Sequence, residues 1–265
     1  MMLQDKVAIV TGGAKGMGSA IAKRFAQEGA KVVIADISMA EANETLAEIQ
    51  AGGGEGLVCE CDVTSSDSVR EMVAATVDRF GGLDILVNNA GSIVGAKGTT
   101  PNSVTAISED SWDRVVDLNL KGGFLCAKEA VPHMKSRGGG RIVNISSLGA
   151  IHPPAPQPHY HAAKAGVLGL TYDMACELGP HGIQVNAIMP GPIRTPFYDG
   201  ILAGKSDEEV EGFFKMLGSL CPLQRMGTPE DIAGVALFLV SDLSSYVTGV
   251  VIPVSGGLPL QPSAH

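Results

Sequence analysis

Val7-Ala8-Ile9-Val10-Thr11-Gly12-Gly13-Ala14-Lys15-Gly16-Met17-Gly18 runs from an unbroken apolar stretch into a cluster of glycines, and Ser19 onward continues with helical period. A strand with no polar alternation suits a parallel sheet covered on both faces. Glycines let the backbone turn sharply and approach a pyrophosphate closely. The helix that follows offers unpaired N–H groups and a positive dipole end. The spacing Gly12-x-x-x-Gly16-x-Gly18 differs from the G-x-G-x-x-G dinucleotide pattern. Read alone, it is equally an ordinary glycine-rich turn.

Outward from this turn the same rhythm repeats. Apolar, β-branched runs predict strands near 7–11, 31–36, 57–61, 83–88, 141–145, 183–189 and 250–254. Helical period fills the intervals 19–28, 39–50, 66–80, 111–135, 160–178 and 229–240. This alternation predicts an α/β fold: one doubly wound, Rossmann-like parallel sheet of about seven strands with helices on both faces. Gly29 and Gly81 follow helical patterns as C-terminal caps. Thr228-Pro229 sets a capping hydroxyl before a proline at a first helical position. Nothing marks an interdomain linker, so 1–265 reads as a single domain. Two stretches break the rhythm. One is the polar loop 92–107. The other is the excursion 192–221, with a short helix near 207–217 and an unusual load of apolar side chains, among them Phe197, Tyr198, Phe213 and Phe214. Long loops of this kind are lids or binding loops, so the excursion is expected to meet a substrate or another subunit.

Composition narrows the partners. At 45 % hydrophobic and 18 % charged the chain is globular. A net charge of −9 offers no basic face for nucleic acid. No apolar run approaches the roughly 20 residues of a membrane helix, and the N-terminus lacks the pattern of a signal peptide. Cys59, Cys61, Cys126, Cys176 and Cys221 show neither zinc spacing nor a disulfide framework. Cys59 and Cys61 share one face of a strand, where two buried thiols are expected ahead of a redox pair. A reducing cytoplasm, no membrane and no resident metal are the expectations.

Asp36 ends the second strand, where a carboxylate can accept both ribose hydroxyls of an adenosine and would repel a 2′-phosphate. This favours NAD over NADP. Lys15 dissents, since a cation in the turn can receive that phosphate, but Ile37 supplies no second cation. Asp62 can bond an adenine amine; a turn or helix cap is its structural alternative.

Farther on, His159-Tyr160-His161-Ala162-Ala163-Lys164 opens a helical segment. Four residues make about one turn, so Tyr160 and Lys164 face the same way. An unperturbed phenol, with a pKa near 10, is a poor base at neutrality; an ammonium beside it is expected to lower that value. His152, His159 and His161 surround the pair and are expected as pocket lining or surface.

Taken together, 11–18, Asn88-Asn89-Ala90-Gly91, Asn119, Ser147, Tyr160 to Lys164 and Pro190-Gly191-Pro192 resemble the short-chain dehydrogenase/reductases of the compact, single-domain branch, in order and spacing over nearly the whole chain. The resemblance implies a catalytic tetrad of Asn119, Ser147, Tyr160 and Lys164. In it Tyr160 exchanges a proton with the substrate oxygen, Ser147 hydrogen-bonds that oxygen, and Lys164 tunes the phenol and holds the nicotinamide ribose. Asn119 holds a water. The residues alone leave Ser146 and Ser147 as alternatives, because adjacent strand residues point to opposite faces; family spacing selects Ser147. The resemblance also implies coenzyme contacts from Gly12, Lys15, Gly16, Met17 and Gly18 in the first turn. Further contacts are implied from Asp36, Ile37, Asp62 and Val63 at the adenosine end and from Asn89, Ala90 and Gly91 along the middle. Pro190, Gly191, Ile193 and Thr195, with Tyr160 and Lys164, complete them around the nicotinamide. Val254-Ser255-Gly256-Gly257 departs from a frequent family pattern with Asp before the glycine pair. Family members associate through the helices expected at 111–135 and 160–178, so a homodimer or homotetramer is implied.

The proline-rich loop 151–158 and the excursion suggest an apolar pocket for a secondary alcohol or ketone of medium size, cyclic or hydroxysteroid-like. Arg194 is an anion anchor or, more simply, a surface cation. Two rival readings are an NADP-dependent 3-ketoacyl-type reductase and a non-catalytic NAD-sensing protein.

Overall fold

Val7 and Ile9 of the first strand face one layer of helices, and Ala8 and Val10 face another. This alternation explains the unbroken apolar run, since both faces of the strand are buried. The computed structural model describes residues 1–95 and 103–260. Among them, β1 (Val7–Thr11), β2 (Lys31–Asp36), β3 (Glu55–Glu60), β4 (Ile85–Asn88), β5 (Gly140–Ile145), β6 (Ile183–Pro190) and β7 (Val251–Val254) form one sheet, in the order β3-β2-β1-β4-β5-β6-β7. Every neighbouring pair is parallel.

α1 (Gly16–Gln27), α2 (Met39–Ala51) and α9 (Pro229–Val240) cover one face through Ile21, Phe25, Ile49, Ile232 and Leu237. α3 (Ser66–Phe80), α5 (Gly122–Ser136) and α6 (Pro158–Leu178) cover the other through Met72, Leu125, Met134 and Leu178. The fold is the doubly wound, Rossmann-like one that the alternation predicts. After β3 the chain crosses back to lay β4 beside β1, and this reversal opens a crevice at the carboxyl edge between them.

The helix boundaries follow local chemistry. Ser65 caps α3 by accepting from Ser68 N, and Gly81 ends it in the left-handed region at φ 79°. Thr228 and Asp231 close a reciprocal capping box on α9. α1 begins at Gly16, three residues before the expected start, because the glycine turn itself winds into the first helical turn. The span expected as one helix at 111–135 is divided: α4 (Glu109–Val116) passes through a π-helical turn (Asp117–Lys121) into α5. The excursion holds a 3-10 turn (Pro196–Tyr198), then α7 (Asp199–Leu202) and α8 (Asp207–Ser219), the last opened by a capping box of Ser206 and Glu209. Within the loop expected at 92–107, residues 96–102 lie outside the described residues.

Asp84 ties the opposite, amino edge of the sheet together. Its carboxylate is 7 % exposed among its neighbours. It accepts from Val7 N at 2.8 Å and Arg137 Nε at 3.0 Å, so one side chain anchors β1 and the end of α5. Replacing it leaves both donors short of an acceptor. Asp84→Ala is predicted to lower unfolding free energy by about 2–3 kcal/mol. Urea denaturation at neutral pH measures this, and a midpoint within error of the parent would contradict it.

Candidate active site

Because the strands are parallel, Thr11, Asp36, Asn88, Ile145 and Pro190 all end at the same edge of the sheet. The glycine turn is packed too tightly there for side chains. A Cβ on Gly12, whose φ is +61°, would lie 2.9 Å from Ala90 Cα, and one on Gly18 would lie 2.0 Å from Gly12 O. Thr11 Oγ1 accepts from the N–H groups of Asn89 and Ala90, each at 3.1 Å. Asn89 Nδ2 donates to the carbonyls of Thr11 and Gly12, each at 3.0 Å. The turn and the 88–91 segment are thereby one unit, with Gly91 at its open end.

Asp36 reaches into the same turn. Its Oδ2 accepts from Ala14 N at 3.0 Å and its Oδ1 from Ser38 N at 2.9 Å. The carboxylate retains lone pairs toward the cleft. Lys15 is paired with Glu41 at 3.0 Å, and this bond raises its pKa. Asp62 takes the turn role that was its structural alternative: Oδ1 accepts from Thr64 N and Thr64 Oγ1 at 2.9 and 2.7 Å. Val63 is buried against Gly122, whereas Ile37 is exposed.

Three observations fit a dinucleotide to this edge. Among the described residues no side chain caps the N-terminus of α1. The glycines leave the backbone bare. Asn89 Oδ1 is buried without a hydrogen-bond partner among the described residues. Gly12, Gly16, Met17 and Gly18 would hold the pyrophosphate on this helix end, with Asp36 at the ribose. On the far side, Thr195 Cβ stands 3.5 Å from where a Cβ of Gly16 would lie. Pro190 ends β6, and Gly191 N donates to Val254 O at 3.0 Å. The side chain of Ile193 is 4 % exposed and belongs to the core, so only its backbone is available to a nicotinamide amide. Ser255, standing where the family often has Asp, donates to Leu258 O at 2.8 Å.

The chemical groups meet where β5 runs out beside the start of α6. Two bonds clamp these elements. Ser146 Oγ donates to Lys164 O at 2.7 Å, and Lys164 Nζ donates to Ile145 O at 2.9 Å. Ser146 is therefore spent inside, and Ser147 is the serine close enough to the Tyr160 hydroxyl to lower its pKa. Gly149 N donates to Ser147 Oγ at 3.1 Å and helps orient it. Lys164 Nζ lies 5.7 Å from the centre of the Tyr160 ring.

Asn119 arrives from the π-helical turn. Its Nδ2 donates to Ser92 O at 2.7 Å and to Val115 O at 2.9 Å. The Val115 carbonyl is the one a regular α-helix would offer to the backbone N–H at 119. Both amide protons are used, and Oδ1 is buried without a partner among the described residues. It lines a cavity of about 10 Å³ with Asn88, Asn144 and Lys164, among others. That is room for one water.

Charge in this corner differs from the sequence expectation. Burial pushes the Tyr160 phenol up to about 12, and the Ser147 hydrogen bond offsets part of the rise. Burial pushes the Lys164 ammonium down to about 8. The lysine does not hold the phenol low, because its own charge is desolvated and its Nζ is turned to a carbonyl. Among the described residues no carboxylate pairs with it.

The histidines divide. His152 is exposed and His161 half-buried, but His159 is wholly enclosed, its Nδ1 accepting from Tyr160 N at 2.9 Å. His159 is thus a core residue, not pocket lining. Arg194 pairs with Glu211 and lies over the Phe214 ring, which answers its alternatives in favour of a surface cation. Sequence reading missed Glu41 and the Ile145 carbonyl. Neither carries a local signal, since both act through residues brought together only by folding. Thr11 was in view as part of the glycine motif, but its bonds to Asn89 and Ala90 need the β1–β4 adjacency.

Comparison with known proteins agrees with this geometry. The family described as enoyl-(acyl carrier protein) reductase matches residues 12–259. The (2S)-[(R)-hydroxy(phenyl)methyl]succinyl-CoA dehydrogenase subunit BbsD of Thauera aromatica is 42 % identical over 98 % of this chain and 99 % of its own. The 2,5-dichloro-2,5-cyclohexadiene-1,4-diol dehydrogenase LinX of Sphingobium indicum is 41 % identical over 96 % of both. A crystal structure of a short-chain type dehydrogenase/reductase from Mycobacterium marinum superposes with a TM-score of 0.86 at 35 % identity, covering 97 % of this chain and 96 % of that one. The chain belongs to the short-chain dehydrogenase/reductase family and is an NAD(P)-dependent enzyme of the alcohol dehydrogenase and ketone reductase type.

Proposed function

We propose that this enzyme interconverts a secondary alcohol and a ketone of medium size and low charge, with NAD as coenzyme and Tyr160 as the acid and base. The observation that carries the reading is the convergence of Ser147, Tyr160, Lys164 and Asn119 beside the glycine turn. The coenzyme, when bound, accepts or delivers the hydride. Tyr160 moves the proton: as a neutral phenol it gives one to the oxygen of a ketone, and as phenolate it takes one from an alcohol. Ser147 donates to that same oxygen and steadies its developing charge. Lys164 and Asn119 Oδ1, facing one water-sized cavity, carry the proton onward. The NAD preference is supported by Asp36 and by Glu41, which occupies Lys15. Two carboxylates thus stand where a 2′-phosphate would need cations.

Exposed Val94 and Ile151, after β4 and β5, suit an apolar substrate. A keto thioester is the second reading, favoured by the acyl-carrier and CoA names among the relatives. The five free thiols suit a reducing compartment such as the cytoplasm. No helix among the described residues is long and apolar enough to cross a membrane.

We also place a homodimer or homotetramer contact on α4, α5 and α6. Phe124, Trp112 and Tyr172 there are exposed, and Phe124 overhangs a groove of about 440 Å³ lined by Leu120, Gly166 and Leu170. Phe124→Glu is expected to shift the sedimentation profile to a smaller species. A parent chain that already sediments as a monomer would refute the contact.

The functional test is a screen of secondary alcohols, ketones and keto thioesters with NAD(H) and NADP(H), followed by absorbance of the reduced coenzyme. Tyr160→Phe is expected to lower kcat by at least 100-fold, on the scale of general acid–base catalysis, while coenzyme affinity stays within about twofold. Comparable turnover in the variant would mean that another group moves the proton.

Lys164 supplies an independent check. Its folded pKa of about 8 lies below the usual 10.5. Below pH 8 folding must bury the charge. Between pH 8 and 10.5 only the unfolded chain still binds that proton, so stability rises with pH across this window. Lys164→Met is expected to be inactive yet more stable than the parent at pH 7, by about 1–2 kcal/mol after loss of the Ile145 bond. The advantage should vanish by pH 10. Urea unfolding at both values decides, and a less stable variant at pH 7 would overturn the assignment.

A further inference from the structure

We propose that Phe197 selects substrates whose reacting carbon carries an aromatic ring, an inference that rests on the dehydrogenase reading above. Phe197 lies on the 3-10 turn that directly follows the nicotinamide segment. Its ring centre is 6.3 Å from that of Tyr160, with the planes at 46°. The two rings form a V whose one wall bears the proton-transferring hydroxyl. The other wall, Phe197, is 42 % exposed, so the ring keeps surface free for a ligand.

This wall is held from behind. Tyr198 meets Phe197 edge-on at 5.6 Å, and Phe213 and Phe214 meet Tyr198 edge-on at 5.8 Å each. Arg194 covers Phe214 at 4.5 Å and pairs with Glu211 of α8. The chain of rings therefore links the helix of the excursion to the strand-end segment beneath the coenzyme. Its leading member is presented with little freedom left to lose on binding. An aromatic ring laid against Phe197 gains an offset or edge-on contact that an open alkyl chain of the same carbon count does not make. A substrate whose ring is at the carbinol carbon places that ring within the V when its oxygen meets Tyr160.

The test compares acetophenone with 2-octanone, which has the same number of carbons, as substrates of the coenzyme-loaded enzyme. Phe197→Ala and Phe197→Leu are expected to lower the acetophenone to 2-octanone ratio of kcat/KM by roughly tenfold. The loss should fall on KM for acetophenone and be smaller for 2-octanone. Phe197→Tyr keeps the ring face and is expected to keep the ratio. Calorimetric titration of acetophenone into the enzyme loaded with oxidised coenzyme, which has no hydride to give, reads the same contact without turnover: the Ala and Leu variants should bind about tenfold more weakly and the Tyr variant as the parent does. An unaltered ratio or affinity, an equal loss on both ketones, or a Leu variant that behaves like the parent would each overturn the proposal. Failure of the underlying reading has a different signature, in which Tyr160→Phe leaves the turnover of both ketones intact.

Discussion

The site depends on a reciprocal clamp between the end of β5 and the second turn of α6. Ser146 donates to the carbonyl of Lys164 while the ammonium of Lys164 donates to the carbonyl of Ile145. A strand and a helix that meet end to side have no ladder to set their register, and these two bonds supply it. Residues adjacent to the clamp inherit its precision: Ser147 follows Ser146, and Tyr160 lies one helical turn before Lys164. The serine spent inside is thus what places its neighbour beside Tyr160.

The clamp carries an energetic burden. A buried ammonium whose one hydrogen bond among the described residues goes to a backbone carbonyl lowers stability wherever it is protonated, and burial also raises the pKa of the Tyr160 phenol. The glycine turn carries a second burden, since neighbouring backbone excludes a side chain at Gly12 and Gly18. Both penalties sit at the carboxyl edge. The compensating features lie elsewhere, in two apolar layers on the sheet faces and in Asp84 at the amino edge. Stability and chemistry occupy opposite ends of the strands.

Much of this was legible in the chain. Apolar runs such as Val7 to Thr11 read as buried strands because both faces of the sheet are covered, and terminators such as Gly81 and Thr228 act through local backbone geometry that sequence states directly. The resemblance named Asn119, Ser147, Tyr160 and Lys164 together, and the fold brings them to one corner of the carboxyl edge. The missed features are tertiary. Nothing in Asp117-Leu118-Asn119-Leu120-Lys121 announces a π-helical turn, which depends on Asn119 finding the carbonyls of Ser92 and Val115 together. A charged pair at helical spacing suggests a lowered phenol pKa only if the cation stays solvated or paired, and burial reversed that expectation. His159, with polar neighbours in sequence, gave no sign that it would be enclosed.

Under the proposed NAD preference, Asp36 would perform two tasks with one carboxylate. It would read the ribose, and it already receives the N–H of Ala14 and so braces the glycine turn. Redesign toward the phosphorylated coenzyme would then be more than a reversal of charge. Swapping Asp36 for a small neutral residue would remove a strut of the cradle at the same moment that it removed the repulsion. A successful redesign needs a substitute acceptor for Ala14, from serine or threonine at the strand end or from a bound water, before a basic residue is introduced nearby.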